Sequence, residues 1–213
     1  MKIVLGIPGP WADTVELGRA IAASNDGYHL HEGQLVGPGI SAQLELIESC
    51  TYLICPGGSL DAGRNAMALA AVILRAGGDA VRVESAGLSH SAKNWLAQAE
   101  RSETHVGALY IGYVALINRQ GQVYSCGMHN LGFPDATVAS TTSVRVAGEL
   151  LRGFLMSVIH DQPLLVSAKS TLDDGAGTFY LLTHEACALC EPDDPFFNPF
   201  GVWRLTPVSL SDS

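Results

Sequence analysis

The chain has little charge, few basic residues, and no hydrophobic run long enough to cross a membrane. Charged residues make up only 15% of its 213 positions, with 12 Lys and Arg against 21 Asp and Glu, a formal net charge of -9. No basic run stands out, which disfavours a phosphate-backbone partner such as DNA or RNA. The longest apolar run, Ala66 to Leu74, ends at Arg75. It falls far short of the roughly 20 residues a bilayer span takes. The opening Met1-Lys-Ile-Val-Leu-Gly-Ile-Pro-Gly-Pro10 is broken by glycine and proline too early for a secretory h-region. The 5 cysteines are an odd number, which reads as reduced thiols rather than a disulfide framework, and a cytoplasmic setting is expected. No nucleophile–base motif, Walker loop, dinucleotide fingerprint or calcium loop is present.

What is present is apolar substance. Hydrophobic residues make up 47% of the chain, enough for a substantial core in one large domain or two small ones. The first half alternates strands and helices. Lys2 to Gly6 reads as a strand, Trp11 to Ser24 as a helix stopped by Asn25-Asp-Gly27, and Tyr28 to Val36 as a strand. Leu44 to Ser49 has a more helical pattern. Thr51 to Cys55 reads as a buried strand, Ala62 to Ala76 as a helix apolar almost all round, and Ala80 to Glu84 as a returning strand. This order is ferredoxin-like.

In the second half, a helix around Ser91 to Arg101 precedes a hairpin. Its strands are Ala108 to Ile117 and Gln122 to Cys126, turning at Asn118-Arg-Gln-Gly121. Thr141 or Thr142 can cap a helix whose apolar residues Ala147, Leu150, Leu151, Phe154, Leu155 and Val158 keep the helical period. Thr178 to Thr183 and Val202 to Val208 read as further strands. The expected fold is α+β: two ferredoxin-like βαββαβ-type halves, residues 1–90 and 91–213, packed as one unit, or one enlarged mixed sheet with helices on one side.

The segment Gly127-Met-His-Asn-Leu-Gly-Phe-Pro-Asp135 resembles the G-M-x-x-F-G-x-P-D stretch of a bacterial domain-of-unknown-function family (DUF 4261-like). Leu5-Gly-Ile-Pro-Gly-Pro-Trp11 and Phe200-Gly-Val-Trp-Arg-Leu205 support the resemblance, which then covers nearly the whole chain. Leu131 departs from it, standing where a phenylalanine is expected. The family brings no stated activity. The resemblance implies an accessory or immunity-type protein near bacterial secretion and toxin loci.

Candidate sites follow from side-chain chemistry. Cys126-Gly-Met-His129 and His184-Glu-Ala-Cys187-Ala-Leu-Cys190 have the short spacings by which zinc is gripped, so Cys126, His129, His184, Cys187 and Cys190 are candidate ligands of one zinc ion. The competing reading makes them small apolar cysteines beside unrelated histidines, because Cys187-Ala-Leu-Cys190 lacks the glycine of a zinc knuckle. Cys55-Pro-Gly-Gly-Ser59 offers a thiol and a glycine turn at a helix start. It is either a nucleophile with a phosphate cradle or a strand end with Ser59 or Asp61 as cap. His29 and His31 share a strand face, on which imidazole is tolerated without a metal.

Asp173 and Asp174, with the proline-rich stretch Glu191 to Phe200, combine acidic Glu191, Asp193 and Asp194 with the aromatic anchors Phe196, Phe197 and Phe200. They form a candidate surface for a basic protein partner, and the phenylalanines alternatively pin the loop to the core. The expected function is a non-enzymatic, toxin-neutralising or secretion-associated binding protein. The alternative is a metal- or thiol-dependent enzyme that uses Cys126, His129, Cys187 and Cys190, or Cys55.

Overall fold

The computed structural model describes residues 1–24, 27–138, 143–175, 177–188 and 190–208. The fold is α+β with two sheets, one of seven strands and one of six. The first sheet is built from β1 (Lys2–Pro8), β2 (His29–His31), β3 (Gln34–Gly37), β4 (Ile40–Ile47), β5 (Cys50–Pro56), β6 (Ala80–Val83) and β7 (Leu88–Ser91). Its order is β2-β3-β4-β5-β1-β6-β7, and every neighbouring pair is antiparallel. Helix α1 (Thr14–Ala23) follows β1, and α2 (Leu60–Arg75) joins β5 to β6. The four strands β4-β5-β1-β6 with these two helices reproduce the ferredoxin-like order. The hairpin of β2 and β3 widens the sheet at one edge, and β7 widens it at the other.

The second sheet is wired differently. It contains β8 (Ala115–Arg119), β9 (Gln122–Cys126), β10 (Asp135–Val138), β11 (Thr171–Asp173), β12 (Phe179–Glu185) and β13 (Val202–Val208), in the order β11-β12-β13-β10-β9-β8. β10 and β13 pair in parallel, so this half is a mixed sheet and does not repeat the ferredoxin-like plan. A parallel pair needs a crossover, which α5 (Val144–Asp161) begins. α3 (Ala92–Ser102) and α4 (Gly107–Tyr113) join the halves.

Local chemistry explains the boundaries. α1 begins at Thr14 rather than Trp11, because the Asp13 carboxylate accepts the N–H groups of Val15 and Glu16. Ser59 caps α2 by accepting from Ala62 N. Gln120 and Gly121 both take positive φ, as a tight hairpin between β8 and β9 requires. The stop at residues 25–26 and the cap at Thr141 or Thr142 lie outside the described residues.

Three sequence expectations are corrected. Leu44 to Ser49 is not helical: Ala42 and Leu44 point inward between exposed neighbours, the alternation of a strand, and β4 turns into β5 at Glu48. Tyr28 to Val36 is two strands, folded at Glu32-Gly33, where both residues take positive φ. Most of Ala108 to Ile117 is helix α4, and only Ala115 onward pairs with β9. Burial of Ala108, Leu109, Tyr110 and Tyr113 in one short helix outweighs the β propensity of the two tyrosines.

The core is one cluster running from Ile3 to Leu205 through both sheets. α2 earns its all-round apolarity by packing on β1, β5, α1, α3 and α4. The α5 stripe of Leu151, Phe154, Leu155 and Val158 is buried, with the helix lying on β9 and β10. Among the described residues, no helix is long and apolar enough to cross a membrane. Phe154→Ala is expected to cost about 3–5 kcal/mol in chemical denaturation, the usual toll of a large core truncation. A loss below about 1 kcal/mol contradicts the packing of this stripe.

Candidate functional site

The strand order brings the segment 127–135 to the junction of the two halves. β9 ends at Cys126, and Gly127 then takes φ +116, where an added Cβ would collide with the carbonyl of Tyr113. Only glycine fits so close to a backbone. A short 3-10 turn, Met128–Leu131, follows, and Gly132 closes it with φ +89 against the backbone of Gly58. Leu131 packs over Gly63 of α2, where a Cβ would stand 2.7 Å from it.

The polar groups of this segment face inward. Asp135 is 3% exposed, and its carboxylate accepts from Ser125 Oγ at 2.7 Å, Met128 N at 3.3 Å and Asn198 Nδ2 at 2.6 Å. Asn198 Nδ2 also donates to the carbonyl of Phe133. Asn130 is fully buried: its amide donates to Gly127 O at 3.0 Å, its side-chain oxygen accepts from Ser85 Oγ at 2.9 Å, and its carbonyl accepts Gly58 N at 3.0 Å. Ser85, Asn130 and Gly58 thereby tie the second sheet to the first.

His129 is the exception. It is buried, its Nδ1 lies 4.0 Å from Asp135 Oδ2, and neither ring nitrogen has a hydrogen-bond partner among the described residues.

The proposed metal residues are only partly assembled. β9 and β12 end at the same edge of the second sheet, separated by β10 and β13, a gap of about 14 Å at the usual strand spacing. Cys187 and Cys190 return over this edge within electrostatic reach of Cys126. Burial first, then the charges of Asp135, Cys190 and Cys187, push the Cys126 thiol up. His184 turns elsewhere: its Nε2 contacts Phe200 O at 2.8 Å and its ring lies 4.9 Å from Trp203. Among the described residues, no three His, Cys, Asp or Glu side chains stand in an arrangement that could hold a metal ion.

Cys55 is buried, and desolvation pushes its thiol up to about 12, the opposite of an activated nucleophile. The glycine turn after it is no phosphate cradle. Gly57 N donates to Met1 O and Gly58 N to Asn130 O. His29 and His31 lie exposed on edge strand β2.

The acidic and aromatic residues divide into two places. Asp173 and Asp174 belong to the β11–β12 turn, where they accept Gly175 N and Thr178 N. The stretch Glu191 to Phe200 follows the other end of β12, about 20 Å away along a seven-residue strand. Here Asp194 accepts Phe196 N at 2.8 Å, and Asn198 is 1% exposed. Phe196 and Phe197 are half-buried and Phe200 is 37% exposed. The Phe196 ring packs over Gly87 and the Phe200 ring over Gly58. The phenylalanines therefore pin the loop across both halves while keeping an outer edge, and Glu191 and Asp193 point into solvent.

Comparison with protein-family models, curated proteins and solved structures finds no match. No spacing rule in the sequence links Ser85, Ser125 and Asn198 to this segment. A lone asparagine between phenylalanine and proline was the one available signal.

The network separates structural from reactive roles by mutation. Asn198→Leu strands Asp135 Oδ2 and Phe133 O without a donor and is expected to cost about 2–5 kcal/mol. His129→Met removes two nitrogens that make no hydrogen bond, and with them a 4.0 Å contact to Asp135, and is expected to be within about 1 kcal/mol of the parent, or stabilising. Urea denaturation measures both, and a His129→Met loss as large as that of Asn198→Leu contradicts this division.

The buried thiols also set a pH dependence. Unfolded cysteine ionises near about 8.5, while folded Cys55 and Cys126 stay protonated well above it. Their contribution is thus complete below about pH 8.5 and lost as pH rises toward the folded values. The slope is about 1.4 kcal/mol per pH unit for each group. Both thiols should resist iodoacetamide in the native protein at pH 8.5 and react in denaturant. Rapid native alkylation of Cys55 contradicts its burial.

Proposed function

We propose that this chain is a non-enzymatic binding protein of the bacterial cytoplasm, presenting the 191–200 loop to a basic protein partner. The reading rests on the rigidity of a loop that has no regular secondary structure. Asn198 clamps it to Asp135 and Phe133, Asp194 holds Phe196 N, and His184 holds the carbonyl of Phe200. A surface fixed in advance loses little entropy on association. The outward groups, Glu191, Asp193 and the edge of Phe200, combine a steering charge with an aromatic anchor. The burial of Cys55 and Cys126, which keeps their thiols protonated, and the internal use of Asn130 and Asp135 favour binding over catalysis. The resemblance to a family found near toxin and secretion loci makes a basic toxin or secreted protein the partner class.

Asp194 is a loop support, so the charges to reverse are those of Glu191 and Asp193. A photo-crosslinking amino acid at position 193, expressed in the native cell, is expected to capture one basic protein. The same probe at Glu48, an exposed turn at the far end of β5 from Gly58, should not. With that protein purified, association should slow severalfold as salt rises, because attraction is screened over about 8 Å at physiological ionic strength. E191K/D193K should slow it further without changing the melting temperature. Identical captures at 193 and 48 contradict the reading. So does substrate turnover that is lost in Cys55→Ser.

A further inference from the structure

A groove of about 870 Å3 lies between the start of α2, the turn joining α3 to α4, α4 itself and α5. It shares no lining residue with the 191–200 loop. Its size suits a small organic molecule.

Its charge runs against that of the chain. In a protein with a net charge of -9, Arg64, Arg101 and Arg152 all line this groove. The two acidic residues on its wall are Glu103 and Glu149, and Glu149 is occupied by Arg145 through contacts of 2.9 and 3.0 Å. Arg64 is likewise committed, to Asp61 at 2.7 Å and to the carbonyl of Ser102 at 3.0 Å. The side chains of Arg101 and Arg152 have no ion-pair or hydrogen-bond partner among the described residues and remain exposed. Two guanidinium forks are therefore available to an oxyanion.

A third group is independent of them. Tyr110 lines the groove at 6% exposure, and its hydroxyl makes no hydrogen bond with the described residues. A buried tyrosine ordinarily finds a partner for that hydroxyl. Burial holds the phenol protonated, up to about 12, against the nearby Arg152 charge that pulls it down, so it stays a donor. Around these groups stand Val106, Met156, Ile159 and Ile111, the last 47% exposed.

We propose that this groove binds a small amphipathic anion. Arg101 and Arg152 pair with its carboxylate or phosphate, Tyr110 donates to the same group, and Val106, Ile111 and Met156 hold its apolar body. Charge complementarity selects this occupant. A neutral apolar molecule leaves two guanidiniums and a phenol unused, and a bare inorganic anion leaves the apolar wall wet.

The test uses 8-anilinonaphthalene-1-sulfonate, an amphipathic anion whose fluorescence rises on binding, and N-phenyl-1-naphthylamine as its uncharged counterpart. The whole protein is expected to bind the sulfonate saturably at one site. R101E/R152E should weaken it by about tenfold or more, as loss of charge-assisted hydrogen bonds does. Its effect on the neutral dye should be small. Tyr110→Phe should weaken the sulfonate severalfold with an unchanged melting temperature, which a purely structural tyrosine would not do. Octanoate or hexyl phosphate should displace the dye, and the stronger competitor identifies the oxyanion. Unchanged sulfonate affinity in R101E/R152E overturns the proposal, as does displacement by neither anion. An apparent affinity that falls as protein concentration rises also overturns it, because a second copy then fills the groove.

Discussion

A carboxylate taken out of water costs several kcal/mol unless its oxygens are hydrogen-bonded, and Asp135 sits at the centre of this fold under that constraint. Its donors come from β9 through Ser125, from the 3-10 turn through Met128 N, and from the distant loop through Asn198. Satisfying one side chain therefore fixes where β9 ends, how the turn seats, and where a loop more than sixty residues later must pass. Asn130, two positions after Met128, extends the same logic to Ser85 and Gly58, which follow strands of the other sheet. Gly127 and Gly132 permit the approach, since a Cβ at either would strike backbone.

Much of the architecture is written in local patterns, and the misread parts show where locality stops. The α5 stripe, the α2 capping serine and the Gln120-Gly121 hairpin all follow from short-range chemistry that a single segment carries. β4 was also legible, since Ile40, Ala42, Leu44 and Leu46 alternate, but a window opened at Leu44 hides half of that alternation. α4 was not. Its Tyr and Ile content favours a strand, and only its position between α2, α3 and α5 makes a buried helical turn cheaper.

The candidate sites divide along the same line. The acidic and aromatic loop is readable as a surface, yet the separation of Asp173 and Asp174 from it depends on which end of β12 each occupies. The paired cysteine and histidine spacings suggested one cluster, whereas strands β10 and β13 intervene and His184 is held by Phe200 O. The arginines of the groove were invisible for a simpler reason. Arg64, Arg101 and Arg152 come from three helices, and no spacing rule connects them. What emerges is a rigid junction, with a charged loop at one place and a cationic groove at another.

Native-state hydrogen exchange at single-amide resolution tests the role of the junction most directly. The amides of Gly58, Asn130 and Asp135, which donate to Asn130 O, Gly127 O and Gly201 O, are expected to exchange only through global unfolding, with opening free energies equal to the stability of the whole protein. If these amides instead open locally, several kcal/mol below global stability, the segment is a moving part rather than the fixed centre on which both halves are built.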